Sequence, residues 1–211
     1  MRAYIFCAAP IADYSYLQKL DFSDSLIICA DGGIYHANAL GLTPHIWVGD
    51  RDSCNVEISK ETKTYFYPTD KDFTDTNLAI DCALKRGYQE IIFIGALGGR
   101  LDHEYSHYCL LKYILEKGGY GTLLDAHNEI AMKAPSSFAL HKNGKRYVSF
   151  LPFGDTVKGL CIRGLKYEVE NFTLENGKVQ ATCNEFAQED TAQISFTEGY
   201  LLVMRCEDGE R

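Results

Sequence analysis

The sequence has neither a GxxxxGK[ST] loop nor a GxGxxG fingerprint, which excludes the usual kinase, GTPase and dinucleotide-binding scaffolds. Its eight cysteines, at positions 7, 29, 54, 82, 109, 161, 183 and 206, never come within twenty residues of one another, so it contains no CxxC zinc knuckle or redox pair. They read instead as small buried hydrophobes in a reducing cytosol. No run of five like charges occurs, and a formal charge of −8, from 29 acidic against 21 basic residues, argues against a nucleic-acid surface. No stretch of eighteen apolar residues is present, and Met1-Arg2-Ala3-Tyr4-Ile5-Phe6-Cys7 carries one positive charge and too short an apolar run for a signal peptide. The expectation is a cytoplasmic protein with no membrane span.

What is present is ordinary globular material: 211 residues, 46% hydrophobic and 24% charged, enough for one large domain or two small ones. Residues 1–125 alternate short β-rich apolar runs, at 3–8, 25–30, 45–48, 64–67, 90–94 and 122–124, with helical patterns at 34–40, 74–86 and 103–117. Thr74 is a ready cap for the second helix, and Gly41, Gly87 and Gly118-Gly119 stop the three in turn. That alternation predicts βαβ units around a mainly parallel sheet flanked by helices. Beyond Pro135 the helical period disappears. Short strands are predicted at 147–151, 160–162, 178–183, 192–196 and 200–205, between turn signals such as Asn143-Gly144 and Asn176-Gly177. This half reads as a small antiparallel sandwich or barrel. With the boundary at Lys133-Ala134-Pro135-Ser136-Ser137, the expected domains are 1–134 and 135–211.

Four loops each follow a predicted strand of the α/β half, and the carboxyl ends of parallel strands are where ligands bind. All four carry aspartate: Asp31-Gly32-Gly33; Gly49-Asp50-Arg51-Asp52-Ser53; Asp70-Lys71-Asp72-Phe73-Thr74-Asp75; and Gly98-Gly99-Arg100-Leu101-Asp102-His103. Each alone could be a turn or a helix start. Converging carboxylates would repel one another unless cations joined them, and hard oxygen ligands point to Mg²⁺, which also binds substrate phosphates. Asp50 and Asp52, two apart in one loop, can approach one ion together. Arg100 could grip phosphate oxygens with its planar fork, Lys71 could supply a point charge, and Gly32, Gly33, Gly98 and Gly99 let backbone N–H groups come close.

Taken in order, Ala30-Asp31-Gly32-Gly33, Gly41-Leu42-Thr43-Pro44, Gly49-Asp50-Arg51-Asp52-Ser53, Lys71-Asp72-Phe73-Thr74-Asp75 and Gly98-Gly99-Arg100-Leu101-Asp102-His103 resemble the catalytic signature of the thiamine pyrophosphokinase family. Gly164-Leu165-Lys166-Tyr167, Cys183-Asn184-Glu185-Phe186 and Gly199-Tyr200-Leu201-Leu202-Val203 resemble that family's thiamine-binding β-domain. The resemblance implies an α/β catalytic domain, a β-sandwich domain, and transfer of diphosphate from ATP to the thiamine hydroxyl with release of AMP. It also implies a homodimer with active sites at the subunit interface. Asp31, Asp50, Asp52, Asp75 and Asp102 fall on the family's acidic metal and substrate positions, with Ser53, Asp72, Thr74 and Arg100 beside them. Asp50, Asp52 and Asp75 are the implied Mg²⁺ ligands, and Asp75 and Asp102 are candidates for orienting or deprotonating the hydroxyl. Phe186 matches the aromatic that stacks on the pyrimidine, with Cys183, Asn184 and Tyr167 bordering it. Two departures stand out: Arg51 occupies a position where Phe is usual, and Cys183 one where Ser is usual.

Other readings compete. A pterin diphosphokinase would use the same chemistry on another alcohol, and a nucleotide-sensing module would need only the residues that hold Mg²⁺–ATP. His103-Glu104-Tyr105-Ser106-His107 is a literal HExxH, but zinc proteases need a third ligand, and Glu129, the residue to nominate, lies in the strand region. The motif is read as a helix start.

Overall fold

The protein, seen in a computed structural model, is described over residues 1–50, 56–66 and 73–209. Contacts divide the chain into two compact units, Met1–Ala126 and His127–Arg211.

In the first unit six described strands, β1 (Arg2–Phe6), β2 (Leu26–Ala30), β3 (Ile46–Gly49), β4 (Lys63–Phe66), β5 (Glu90–Ile94) and β6 (Tyr120–Leu124), lie in the order β6-β5-β1-β2-β3-β4. Every neighbouring pair is parallel. The central strands are apolar almost throughout, as strands covered on both faces must be: all five residues of β2 are buried, and four of five in β1. Three helices accompany them, α1 (Ile34–Ala39), α2 (Asp75–Leu84) and α3 (Leu101–Glu116). The connection from β1 leads to one side of the sheet and that from β5 to the other, so the topological switch point lies between these two strands. The connections leaving their carboxyl ends therefore run in opposite directions and leave a crevice.

The second unit is antiparallel. Strands β7 (Asn128–Lys133), β9 (Tyr147–Pro152), β12 (Asn184–Glu185) and β14 (Leu201–Cys206) pair in the order β12-β9-β14-β7. A second sheet runs β11-β10-β13-β8, formed by β8 (Ser136–His141), β10 (Thr156–Arg163), β11 (Val169–Glu175) and β13 (Thr191–Phe196). Val148, Phe150 and Val203 from the first sheet meet Leu160, Ile162 and Ile194 from the second in one apolar core. The expected α/β sheet followed by a small antiparallel sandwich is thus what the chain forms.

Several local expectations differ. Residues 178–183 alternate like a strand, but they form no ladder with β9: the Ala181 carbonyl accepts from Phe150 N at 2.8 Å, Cys183 N donates to Ser149 Oγ at 3.0 Å, and a φ of +56° at Cys183 ends the extended path. Strands β7, β8 and β11 were not anticipated; β11 lies at a sheet edge with mostly exposed or half-buried residues, so it carries no alternating signal. A 3-10 turn at Ser15–Lys19, which buries Leu17, was missed as well. Among the described residues, no helix is long and apolar enough to cross a membrane.

Candidate active site

A cleft of about 930 Å³ opens at the switch point, entirely within the first unit. Of the residues singled out by sequence, Asp31, Asp50, Thr74, Asp75 and Arg100 line it. Asp102 does not. Asp52, Ser53, Lys71 and Asp72 lie outside the described residues, as does Arg51. Loops after four different strands are thereby brought to one cavity, as the carboxyl-end rule requires.

The wall contains a stretch that sequence reasoning passed over, Cys7-Ala8-Ala9-Pro10, directly after β1. The same rule pointed there, but without a charged side chain the loop drew no attention. Backbone bonds fix it to the β5 loop, Cys7 N donating to Ile94 O at 2.8 Å and Ala9 N to Gly95 O at 2.9 Å. His36 locks it from behind: its Nε2 donates to the Ala9 carbonyl at 2.9 Å while its Nδ1 accepts from Tyr14 Oη at 2.7 Å. Burial holds the His36 imidazole below its ordinary range, which suits this neutral tautomer. Burial also pushes the Cys7 thiol up to about 12, so it is a packing group and not a nucleophile. Thr76, Phe73, Glu104 and His107, likewise not assigned by sequence, complete much of the lining.

Asp31 is held with unusual firmness. It opens a 3-10 turn, Asp31–Gly33, with a φ of +49°, a left-handed conformation that a non-glycine residue adopts at a cost. The Trp47 indole donates to its carbonyl at 3.0 Å. Gly33 is required at the end of this turn, because a Cβ there would stand 2.0 Å from the Phe6 carbonyl oxygen. The carboxylate atom Oδ1 of Asp31 is buried and has no hydrogen-bond partner among the described residues. A buried anionic oxygen without a donor is costly, and a cation or a ligand donor relieves it.

Asp75 stands in the first turn of α2, whose start is set by Thr74: its Oγ1 accepts from Asn77 N at 3.2 Å. Arg100 forks onto Asp102, Nη2 to Oδ2 at 2.6 Å and Nε to Oδ1 at 3.1 Å. That guanidinium, together with the His103 N–H, holds the Asp102 carboxyl below the usual carboxylate range. The pair is mostly exposed, 74% and 64%, so a phosphate could compete for the fork. Among the described residues no three carboxylate, imidazole or thiolate groups are gathered as a metal cluster.

In the second unit, Tyr167, Cys183, Asn184 and Phe186 do come together, through an isolated bridge between Leu165 and Phe186. The Asn184 amide is only 3% exposed and grips the Tyr167 backbone from both sides: Nδ2 donates to Tyr167 O at 2.8 Å, and Oδ1 accepts from Tyr167 N at 3.0 Å. Phe186 is partly buried against the sandwich core. Tyr167 is 58% exposed, and Cys183 is exposed.

The chain thus joins a parallel α/β unit that has carboxylates and an arginine at its switch point, and no P-loop, to a β-sandwich unit. Comparison with known proteins narrows this. Residues 17–118 match the thiamin pyrophosphokinase catalytic domain, and residues 137–201 match the thiamin pyrophosphokinase vitamin B1 binding domain. The chain is 30% identical over 190 residues to the thiamine pyrophosphokinase of Bacillus subtilis, covering 87% of this chain and 88% of that one. It is similar to the crystal structure of the B. subtilis enzyme, with a TM-score of 0.87 and 28% identity over 99% of this chain and 100% of that one. For the Geobacillus thermodenitrificans thiamin pyrophosphokinase structure the TM-score is 0.88 at 25% identity, over 100% of this chain and 99% of that one. The chain belongs to the thiamine pyrophosphokinase family. It is an enzyme that transfers diphosphate from ATP to the hydroxyl of thiamine, and the readings as a pterin diphosphokinase or a nucleotide sensor are not favoured.

Proposed function

We propose that the transfer takes place in the switch-point cleft of the first unit and depends on Mg²⁺ held by Asp50, Asp52 and Asp75. The observation that carries this is the buried Oδ1 of Asp31, without a partner among the described residues, on the same cleft wall as Asp50 and Asp75. Asp31, Asp50 and Asp75 line one cavity, and carboxylate oxygens are donors suited to a hard cation and unsuited to free phosphate. Bound there, Mg²⁺ supplies neutralisation of the charge that develops on the phosphate oxygens.

The chain's own residues do the rest. Asp31, Ser53, Lys71, Asp72 and Thr74 hold ATP, with the fork of Arg100 on its phosphates in exchange for Asp102. Asp102, once released, and Asp75 orient the thiamine hydroxyl toward the β phosphorus or take its proton. A carboxylate at neutral pH is already the basic form, so its position matters more than its pKa. Residues 1–134 act as the catalytic domain and 135–211 as the thiamine-binding domain. In that second domain Phe186 covers the pyrimidine with its accessible face, while Tyr167, Cys183 and Asn184 border the ring. The working form is a homodimer with active sites at the subunit interface, in the cytoplasm.

Product analysis tests the reading. Incubation with Mg²⁺, ATP and thiamine should give AMP and thiamine diphosphate in equal amounts, chelation of Mg²⁺ should stop the reaction, and sedimentation should find a dimer. Stoichiometric ADP would refute the site of cleavage, and full turnover in excess chelator would refute the metal.

A further inference from the structure

The HExxH stretch falls on α3, and two of its residues do a job unrelated to zinc. Glu104 and His107 are one helical step apart, at i and i+3, so they share a face of α3. That face lies against the loop at 95–100. Glu104 Oε2 accepts from the Gly98 backbone N–H at 3.0 Å, and His107 Nδ1 donates to the Ala96 carbonyl at 2.8 Å. Because a carbonyl can only accept, Nδ1 carries a proton. Burial holds the His107 imidazole below its ordinary range, and its ring stacks on Phe93 with centroids 6.3 Å apart. His103, by contrast, is exposed and takes no part.

The loop needs such a clamp. Gly95 and Gly98 both have left-handed backbones, φ +67° and +79°, so the chain turns twice within four residues and glycine gives it little rigidity of its own. Arg100 follows Gly98 by two residues, so fixing the Gly98 N–H keeps the Arg100 Cα within about 7 Å of a set point. Both clamping side chains line the same cleft as Arg100.

We infer that Glu104 and His107 are positioning residues for the diphosphate transfer, pinning the 95–100 loop to α3 so that Arg100 meets the phosphates in one orientation. The inference rests on the reading of Arg100 as the phosphate grip. It is tested with the full-length variants E104A, E104Q, H107L, H107N and R100A, each read by kcat, by KM for ATP and for thiamine, and by a melting curve. Gln keeps an oxygen that can accept from Gly98, and Asn places an amide N–H close to where Nδ1 stands. E104A and H107L should lose about 10- to 100-fold in kcat while remaining folded, the scale expected when a reacting group is misplaced. E104Q and H107N should recover most of that loss, and KM for thiamine should change little. The E104A/H107L double variant should lose less than the product of the single losses, since both clamps act on one loop. Wild-type turnover in E104A and H107L, with R100A slow, would overturn the clamp alone. Wild-type turnover in R100A would overturn the Arg100 reading and the clamp with it. An E104Q as slow as E104A would show that the Glu104 charge acts by itself, also against the clamp. If H107L does not fold, the E104A and E104Q pair decides.

Discussion

In the parallel unit the candidate carboxylates stand beyond the ends of the strands, on turns or at a helix start, whereas in the antiparallel unit the candidate polar groups are tied into the framework itself. Asp50 lies past the end of β3 and Asp75 at the start of α2, so neither belongs to a strand of the sheet. Asn184 is a strand residue whose amide holds Tyr167, and Phe186 packs on the sandwich core. A parallel α/β fold separates the scaffold from the chemistry, and a small sandwich makes the same residues serve both.

The sharpest break between the two would come from substituting both kinds of residue. Asp50→Ala or Asp52→Ala should lower turnover on the order of 10²–10³-fold, the usual cost of one electrostatic contact to the reacting group, with an unchanged melting temperature. Turnover within a few-fold of wild type would show that the residue does not hold the metal. Asn184→Ala should do the reverse in the second unit, costing roughly 2–3 kcal/mol of stability because the N–H and carbonyl of Tyr167 lose a buried partner. A melting temperature equal to wild type would mean that water replaces the amide and that the framework tolerates its loss.

Phe186→Ala sits between these cases. Stacking on the pyrimidine would put roughly 1–2 kcal/mol into the KM for thiamine, leaving the KM for ATP little changed. A lower melting temperature with unchanged thiamine affinity would assign Phe186 to the core alone. The smallest effect concerns pH. Burial lowers the pKa of both His36 and His107, so the unfolded chain takes up protons more readily than the folded one. The stability gained by keeping them neutral is complete above their ordinary pKa of about 6.5 and is lost as pH falls toward their folded values. The melting temperature should therefore fall as pH drops below about 6.5, and less steeply in H107N; equal slopes would show that His107 contributes nothing to it.

How far the sequence carried these conclusions follows the same division. The strands and helices of the first unit announce themselves by period and by punctuation at Thr74, Gly41 and Gly87, and the acidic loops follow from where parallel strands end. The Cys7–Pro10 wall escaped notice because backbone alone makes it, and backbone leaves no mark on residue type. Glu104 and His107 were read only as part of a helix start, because spacing records which residues share a helix face but not what that face meets. In the second unit β8 and β11 were missed because they are edge strands with too few buried residues to set a pattern, and β7 because only Ile130 and Met132 of its six residues are buried. The 178–183 run failed for the opposite reason: its alternation is real, but the left-handed Cys183 leaves it almost unpaired.

Trp47 is the sole tryptophan of the chain, it is buried, and its indole N–H rests on the carbonyl of Asp31 while the Phe66 ring meets it in a T-shaped pair with centroids 5.7 Å apart. The molecule therefore carries its own optical probe, one bond from the turn that lines the cleft. Its emission comes from a single site, so any shift in wavelength or intensity as ATP is added reads the Asp31 turn directly, with no label and no contribution from the β-sandwich.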